Sequence, residues 1–234
     1  MNNEKFDARF APAYGVSEAA RYLNIPPSTL RSWISGVRYH SDRRNFEPVI
    51  IVPPSEIVQL SFVNLVEAHV LVALRRVHKV RLQDIRVALD TLENQFPKQP
   101  HPLAFEIFAT DGKDLFLKHI GQLINLSKRG QLEMEEVIDM YLHRIEYDTS
   151  GPVILYPFTR GPFQENDQPK AVLMNPYISF GRPVLAGRGV PTELVFERFN
   201  AGELIDALAE DYGRKRWEIE EAIRYESARS RKAA

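Results

Sequence analysis

The sequence predicts a mainly α-helical protein with a small antiparallel β component: a winged helix-turn-helix, a central α+β region and a C-terminal three-helix unit. Three observations support this fold class. Two short helical segments with an apolar seam lie near the N-terminus, longer segments with apolar residues every three or four positions follow, and three more helical segments separated by glycines complete the chain. A length of 234 residues suits between about one and two domains.

The composition excludes several classes of function. Lys and Arg number 30 and Asp and Glu 31, so the net charge of −1 excludes a uniformly basic nucleic-acid coat but allows a local basic patch. Cysteine is absent, which excludes disulfides, cysteine zinc sites and thiol nucleophiles. The first ten residues do not resemble a signal peptide, and no run approaches the roughly 18 apolar residues of a membrane span. We therefore expect a soluble, cytoplasmic protein without membrane association.

The N-terminal segment has the pattern of a helix-turn-helix. A first helix is expected to end before Pro26, because proline disfavours a helical conformation in the residue before it, and Pro27 suits the first turn of a second helix. The second helix has an apolar face formed by Leu30, Trp33 and Ile34. Its opposite face is small, polar and basic, which suits insertion into the major groove of DNA.

A basic loop follows the second helix. Residues 38–44 carry three arginines, and residues 47–52 predict a β-branched strand. Together they have the composition of a wing whose arginines reach phosphates. A small helical hairpin with solvated charges is the alternative explanation of the same pattern.

The stretch from Val16 to Trp33, VSEAARYLNIPPSTLRSW, resembles the winged helix-turn-helix of MerR-type regulators. In that family the second helix of the motif enters the major groove, and a second helix pair follows the wing. Residues 55–96 fit the place of that pair, and a helix there that is apolar nearly all round is expected to be buried or to join two subunits. The DNA-facing residues that the resemblance implies are Ser28, Thr29, Arg31 and Ser32 in the helix and Arg43 and Arg44 in the wing.

The central region predicts a small antiparallel sheet with one helix against it. Turn signals at Asp111-Gly112 and at Lys128–Gly130 each lie between short apolar runs, which predicts two hairpins. A helix is expected over Glu135–Arg144. Dimerisation or a spacer role is the function we expect of this region.

The C-terminal region combines a loop rich in Gly and Arg with three helical segments. Between residues 203 and 226 eight acidic residues stand against four basic ones, which opposes phosphate binding and indicates a protein-binding unit. The segments NPYISFGRPVLAGRGVPT, AGELIDALAEDYG and EIEEAIRYE are similar to a helical domain family of unknown function. That family is typical of antitoxins paired with PIN-type ribonuclease toxins in VapBC-like modules, and its combination with a MerR-like half resembles a larger form of such antitoxins.

This resemblance implies an antitoxin that binds and neutralises a PIN-type ribonuclease and represses its own operon by binding operator DNA. A hetero-oligomer with the toxin is implied as well. The nearly all-round apolar helix over residues 61–77 and the groove-reading motif predict a homodimer on a two-fold operator, and we expect no enzymatic activity, metal or cofactor. Such nucleases hold Mg²⁺ with carboxylates in a basic RNA groove, so an inhibitor is expected to offer acidic residues and an arginine. The toxin-binding candidates are Arg182, Arg188, Glu203, Asp206, Glu210, Asp211, Glu218 and Glu221, with Arg229 and Arg231 as a second source of arginine.

Three domains are therefore predicted: a MerR-like DNA-binding domain over residues 1–96, the α+β region over 100–160, and a helical toxin-binding domain over 171–234. The alternative is a stand-alone MerR-like transcriptional regulator whose C-terminal domain senses a ligand. The six histidines lack the H-x-x-x-H spacing of a metal site, and no G-x-S-x-G serine occurs, which argues against an enzyme.

Overall fold

The computed structural model describes residues 6–38, 45–78, 80–97, 101–106, 108–161 and 168–230. The chain forms two compact units, Met1–Pro152 and Val153–Ala234. The first unit contains β1 (Tyr14–Gly15), α1 (Val16–Tyr22), α2 (Pro27–Ser35), β2 (Val37–Arg38), β3 (Asn45–Phe46), β4 (Gln59–Leu60), α3 (Phe62–His78), α4 (Leu82–Gln95), α5 (Lys113–Leu123), α6 (Lys128–Leu142) and β5 (Ile145–Asp148). Strand β6 (Gly151–Leu155) crosses the boundary, and β7 (Val172–Leu173), β8 (Val184–Leu185), α7 (Thr192–Asn200), α8 (Ile205–Tyr212) and α9 (Arg216–Ser230) follow.

Helices dominate this structure, and the described strands are short and paired in antiparallel sheets of two, which confirms the predicted fold class. Strand β1 pairs with β4, β2 with β3, and β7 with β8. Among the described residues, no helix is both long and apolar enough to cross a membrane.

Helices α1 and α2 form the predicted helix-turn-helix around an apolar seam. Ala20 of α1 and Leu30 of α2 are completely buried, as the small residue allows a close crossing of the two helices. Asn24 in the turn adopts a left-handed conformation with φ of 57°, which asparagine tolerates better than most residues. The carbonyl of Trp33, in the last turn of α2, accepts hydrogen bonds from the amides of Val49 at 2.8 Å and Ile50 at 3.1 Å.

The segment after α2 agrees with a wing only in part. Strands β2 and β3 pair on either side of residues 39–44, with Val37 opposite Phe46. The predicted strand over residues 47–52 is wrong, because this segment is irregular. The amides of Val49 and Ile50 bind the end of α2, and the carbonyl of Ile51 accepts a 2.9 Å hydrogen bond from the Asn64 side chain, so these groups are not available to a neighbouring strand.

Helix α3 is the buried centre of the first unit. Its residues from Phe62 to Leu74 are buried, and α6 and the turn over Pro102–Ala104 pack against it. The polar side chains that this burial includes are bonded internally: Glu67 to His101 at 2.9 Å, and His69 to the backbone carbonyl of Tyr141 at 3.1 Å. Burial within one chain therefore explains why this helix is apolar nearly all round, and a subunit interface is not needed to explain it.

The two hairpins predicted in the central region are wrong, since α5 and α6 occupy their place. Gly112 lies immediately before α5 with an ordinary φ of −68°, and Gly130 lies in the first turn of α6, where its amide donates to the Ser127 hydroxyl at 3.1 Å. The glycines that suggested turns thus begin helices. Apolar residues at helical spacing, including Phe116 and Ile120 in α5, are buried on one face of each helix.

The second unit contains the predicted three C-terminal helices. Helices α7, α8 and α9 enclose a core formed by Leu185, Val195, Leu208, Ile219, Ala222 and Ile223. Helix α8 ends at Tyr212, and the next residue, Gly213, has a left-handed φ of 58° that suits glycine at this position. Thr192 at the start of α7 is buried, and its hydroxyl lies between the carbonyl of Pro183 and the Glu226 carboxylate of α9.

Candidate functional site

The first candidate surface is the side of α2 opposite the buried Trp33. Ser28 and Arg31 are exposed there, whereas Thr29 and Ser32 are half-buried. The Ser32 hydroxyl donates to the Thr29 carbonyl at 2.7 Å, so its oxygen can still accept a hydrogen bond from a ligand. The structure thus places the four predicted helix residues on one polar strip that carries a single positive charge.

The two candidate arginines of the wing, Arg43 and Arg44, lie outside the described residues. The paired strands β2 and β3 adjoin this segment on both sides and follow α2 directly. The short polar helix with an adjacent basic segment is the arrangement by which a helix-turn-helix contacts a groove and its phosphates.

In the second unit, the two candidate arginines of the Gly-rich loop have different surroundings. Arg182 is exposed beyond the turn that precedes β8. Arg188 is also exposed, but its guanidinium lies against Gly213, since a Cβ on that glycine would come within 3.2 Å of Nη2. Gly213 follows the last turn of α8, where the helix dipole favours a cation.

Glu218 and Glu221, two of the predicted acidic contacts, are buried within the unit. Glu218 pairs with Arg214 and accepts the Lys215 amide at 2.8 Å, so it caps the start of α9. Arg214 lies in turn against Gly187, whose positive φ of 91° favours glycine at this position. Glu218 therefore stabilises the fold of the second unit. We leave it, together with the buried Glu221, out of the surface that we propose for toxin binding.

Glu221 is the centre of a buried charge cluster. Its side chain is 2% exposed and receives hydrogen bonds from Arg160 at 2.6 Å, from the Thr159 hydroxyl and from Arg224. Burial by itself would raise the pKa of this carboxyl, but the hydrogen bonds from Arg160 and Thr159 and the nearby Arg224 prevail and lower it. The cluster joins α9 to the segment that follows β6.

The four remaining acidic candidates lie toward solvent, and arginines of the same unit pair with three of them. Arg198 binds Glu203 and also Asp211, the latter at 2.6 Å, and Arg216 binds Asp206 at 2.5 Å. The hydrogen bond from Arg198 lowers the pKa of Glu203. Glu210 is exposed on α8. The surface is therefore a mixed network of charges with an acidic excess.

Two apolar side chains of the second unit are unusually exposed, and sequence reasoning did not select either of them. Phe180 is 91% exposed in the turn before Arg182. Leu204 is 74% exposed and lies at an open groove of about 380 Å³ that Phe199, Asp206 and Arg216 also line. Large apolar residues usually lie in protein cores, so the sequence alone does not indicate that Phe180 and Leu204 face solvent.

Comparisons with known proteins agree with the two units. The family described as "Putative DNA-binding HTH domain" matches residues 12–89, and the family described as "Protein of unknown function (DUF433)" matches residues 172–225. A helix-turn-helix with an exposed polar second helix, joined to a compact helical unit, defines the class: a DNA-binding protein with a separate second module.

Relatives along nearly the whole chain narrow this class. "Putative antitoxin VapB45" of Mycobacterium tuberculosis is 31% identical over 233 residues, which cover 90% of this chain and 92% of that protein. "Uncharacterized protein Rv2308" of the same organism is 25% identical over 225 residues, covering 91% and 89%. The crystal structure of Rv2018 from that organism has a TM-score of 0.71 and 27% identity, covering 92% of this chain and 99% of its own. The chain belongs to the family of VapB-like antitoxins with an N-terminal helix-turn-helix.

Proposed function

We propose that this antitoxin neutralises a PIN-type ribonuclease by direct binding and represses its own operon through operator DNA. The proposal is supported by the joining, in one chain, of a helix-turn-helix with an exposed polar face on α2 and a helical unit with an acidic, arginine-bearing surface. The protein acts by binding rather than by catalysis, in the cytoplasm where its operon lies. The name of the relative favours this function over a stand-alone ligand-sensing regulator.

The DNA-binding part of the proposal depends on α2. Its apolar residues are buried against α1, and the amides of Val49 and Ile50 hold its last turn, so the helix is a rigid support for Ser28 and Arg31. Helix-turn-helix proteins bind as dimers to two half-sites that lie about one helical turn of DNA apart. We therefore propose that two copies of this chain bind a palindromic operator as a homodimer.

We expect Arg31→Ala to weaken operator binding by about 1–3 kcal/mol, because an exposed arginine on the groove face is suited to a guanine edge. The measurement is a gel-shift titration on the upstream region at fixed salt. Arg21→Ala, which removes an exposed arginine from the last turn of α1, is the matched control and should cost less. Equal affinities for Arg31→Ala and the wild type on specific DNA would contradict the assignment of α2 as the recognition helix.

The toxin-binding part depends on Arg182, on the exposed acids Asp206, Glu210 and Asp211, and on the half-buried Glu203. A guanidinium can bind the carboxylates that hold Mg²⁺ in the nuclease, and acidic side chains suit the basic RNA groove around them. Of the two loop arginines we choose Arg182, because Arg188 lies against Gly213.

We expect Arg182→Ala to weaken the complex with the neighbouring toxin by about 2 kcal/mol, the scale of an arginine at the centre of an interface. Titration of the purified toxin measures the binding, and cleavage of an RNA substrate measures the inhibition. Arg188→Ala is the control and should leave the affinity within about threefold of the wild type. The reverse order of the two variants would exchange the roles assigned to these arginines.

Co-expression with the adjacent toxin tests the proposed function as a whole. The full-length protein should rescue growth and co-purify with the toxin, and the complex should shift the operator in a gel. A protein that binds the operator but neither binds nor inhibits the toxin would instead be the stand-alone regulator.

A further inference from the structure

The turn over Asn175–Arg182 in the second unit is ordered by its own backbone. The amide of Ile178 donates to the Asn175 carbonyl at 2.9 Å, and the amide of Arg182 donates to the Ser179 carbonyl at 3.0 Å. The amide of Tyr177 also donates to the Asn175 side chain at 2.9 Å. The turn is therefore held in one conformation although most of its side chains face solvent.

The conformation of this turn is strained at two consecutive residues that are not glycine. Ser179 has a φ of 48° and Phe180 a φ of 54° with ψ of 33°, both in the left-handed region. An aromatic side chain in this region is uncommon, since its Cβ approaches the backbone too closely. Strain of this kind persists where the surrounding structure imposes it, and it is concentrated at binding sites.

The strained conformation does not bury the Phe180 ring. The ring remains in solvent, with Tyr177 and Ile178 also exposed in the same turn. An exposed aromatic side chain on a rigid turn has little freedom left to lose when it binds a partner, which is the property of an interface anchor. Packing in the core of the unit therefore does not explain why an aromatic residue occupies this strained position.

We propose that Phe180 is the apolar anchor by which the protein binds the ribonuclease toxin, at a contact surface that also includes the exposed Arg182. The inference rests on the proposed function. The partner it requires has an apolar pocket beside an acidic cluster, because the aromatic ring and the exposed guanidinium are two residues apart. The positive charge of Arg182 is complementary to the metal-binding carboxylates of a nuclease. The acids on α8 are complementary instead to the basic RNA groove around those carboxylates.

The test compares variants of the full-length protein against the purified neighbouring toxin. Phe180→Asn removes the ring and keeps a residue that tolerates the left-handed conformation, so the turn should remain folded. Leu194→Gln is the matched control, because it removes an exposed apolar side chain from α7 of the same unit, away from the proposed toxin-binding residues in the sequence. We expect Phe180→Asn to bind the toxin at least about 30-fold more weakly and Phe180→Tyr to restore most of the affinity, whereas Leu194→Gln stays within about threefold.

Two further measurements make the outcome specific. Operator binding by Phe180→Asn should equal that of the wild type, and its melting temperature should be no lower, because asparagine relieves the strain of the left-handed conformation. An unchanged toxin affinity of Phe180→Asn, with a wild-type protein that still inhibits the toxin, would overturn the anchor and leave the proposed function intact. A wild-type protein that does not bind the toxin would overturn the proposed function itself. If Phe180→Asn instead converts a dimer of the free protein into a monomer in light scattering, the ring joins two copies of this chain and the proposal is wrong.

Discussion

Replacing Trp33 by Ala is expected to destabilise the first unit by about 3–5 kcal/mol and to abolish operator binding. Trp33 is among the largest fully buried side chains, and its loss leaves a cavity beneath the buried face of α2. The cavity lies directly behind the exposed face that carries Ser28 and Arg31, so the recognition helix loses its support. Urea denaturation measures the free energy of unfolding, and hydrogen exchange in α1 and α2 locates the effect.

Trp33→Phe separates the loss of packing from the loss of a polar group. Within the described part of the chain, the buried Trp33 indole nitrogen has no hydrogen-bond partner, so removing its N–H breaks no bond. We expect this variant to cost only about 1–2 kcal/mol and to retain operator binding. Strong DNA binding by Trp33→Ala, or equal destabilisation by the two variants, would show that the indole does not support the recognition helix.

The helix-turn-helix could be predicted because its information is local. Pro26 and Pro27 fix where one helix ends and the next begins, and the spacing of Leu30, Trp33 and Ile34 defines a face that must be buried. Once that face of α2 is buried, helix geometry places the remaining residues on the opposite, solvent-facing side. No contact distant in the sequence is needed to place these residues.

The central region could not be predicted in the same way, because short-range turn signals competed with helical periodicity. Asp111-Gly112 is a strong hairpin dipeptide, but the buried spacing of Phe116 and Ile120 belongs to a helix that packs within the first unit. Tertiary burial decides such a competition, and it does not show in a window of ten residues.

The roles of the charged residues in the second unit depend on partners distant in the sequence. Glu221 and Glu210 have the same chemistry and both lie in helical segments, yet one is buried beside Arg160 and the other is exposed. Arg188 and Arg182 are both exposed, but the guanidinium of Arg188 also lies against Gly213, a contact that the sequence does not reveal. Counting acids and bases therefore predicted a protein-binding surface but could not select its members.

Glu221→Gln is expected to destabilise the second unit by about 3 kcal/mol. The change leaves Arg160 and Arg224 without their shared counter-charge, which is the costly way to break a buried ion pair. The value lies at the low end of the range for such pairs because these arginines, 27% and 46% exposed, are partly solvated. The two tryptophans of the chain lie in different units, so in a Trp33→Phe background the fluorescence of Trp217 reports on the second unit alone.

The pH dependence of this unit follows from the same carboxylate and provides a second, independent measurement. Because the pKa of Glu221 is lower in the folded state than its ordinary value, the ionised carboxylate stabilises the fold at all pH values above that ordinary value. This stabilisation is lost progressively as the pH falls through the lowered pKa. We therefore expect acid to reduce the unfolding free energy of the wild type more than that of Glu221→Gln, which has no carboxyl to protonate there. Glu210→Gln, at an exposed position, is the control and should follow the wild type. Parallel curves for the wild type and Glu221→Gln would mean that the buried cluster does not hold α9 to the segment after β6.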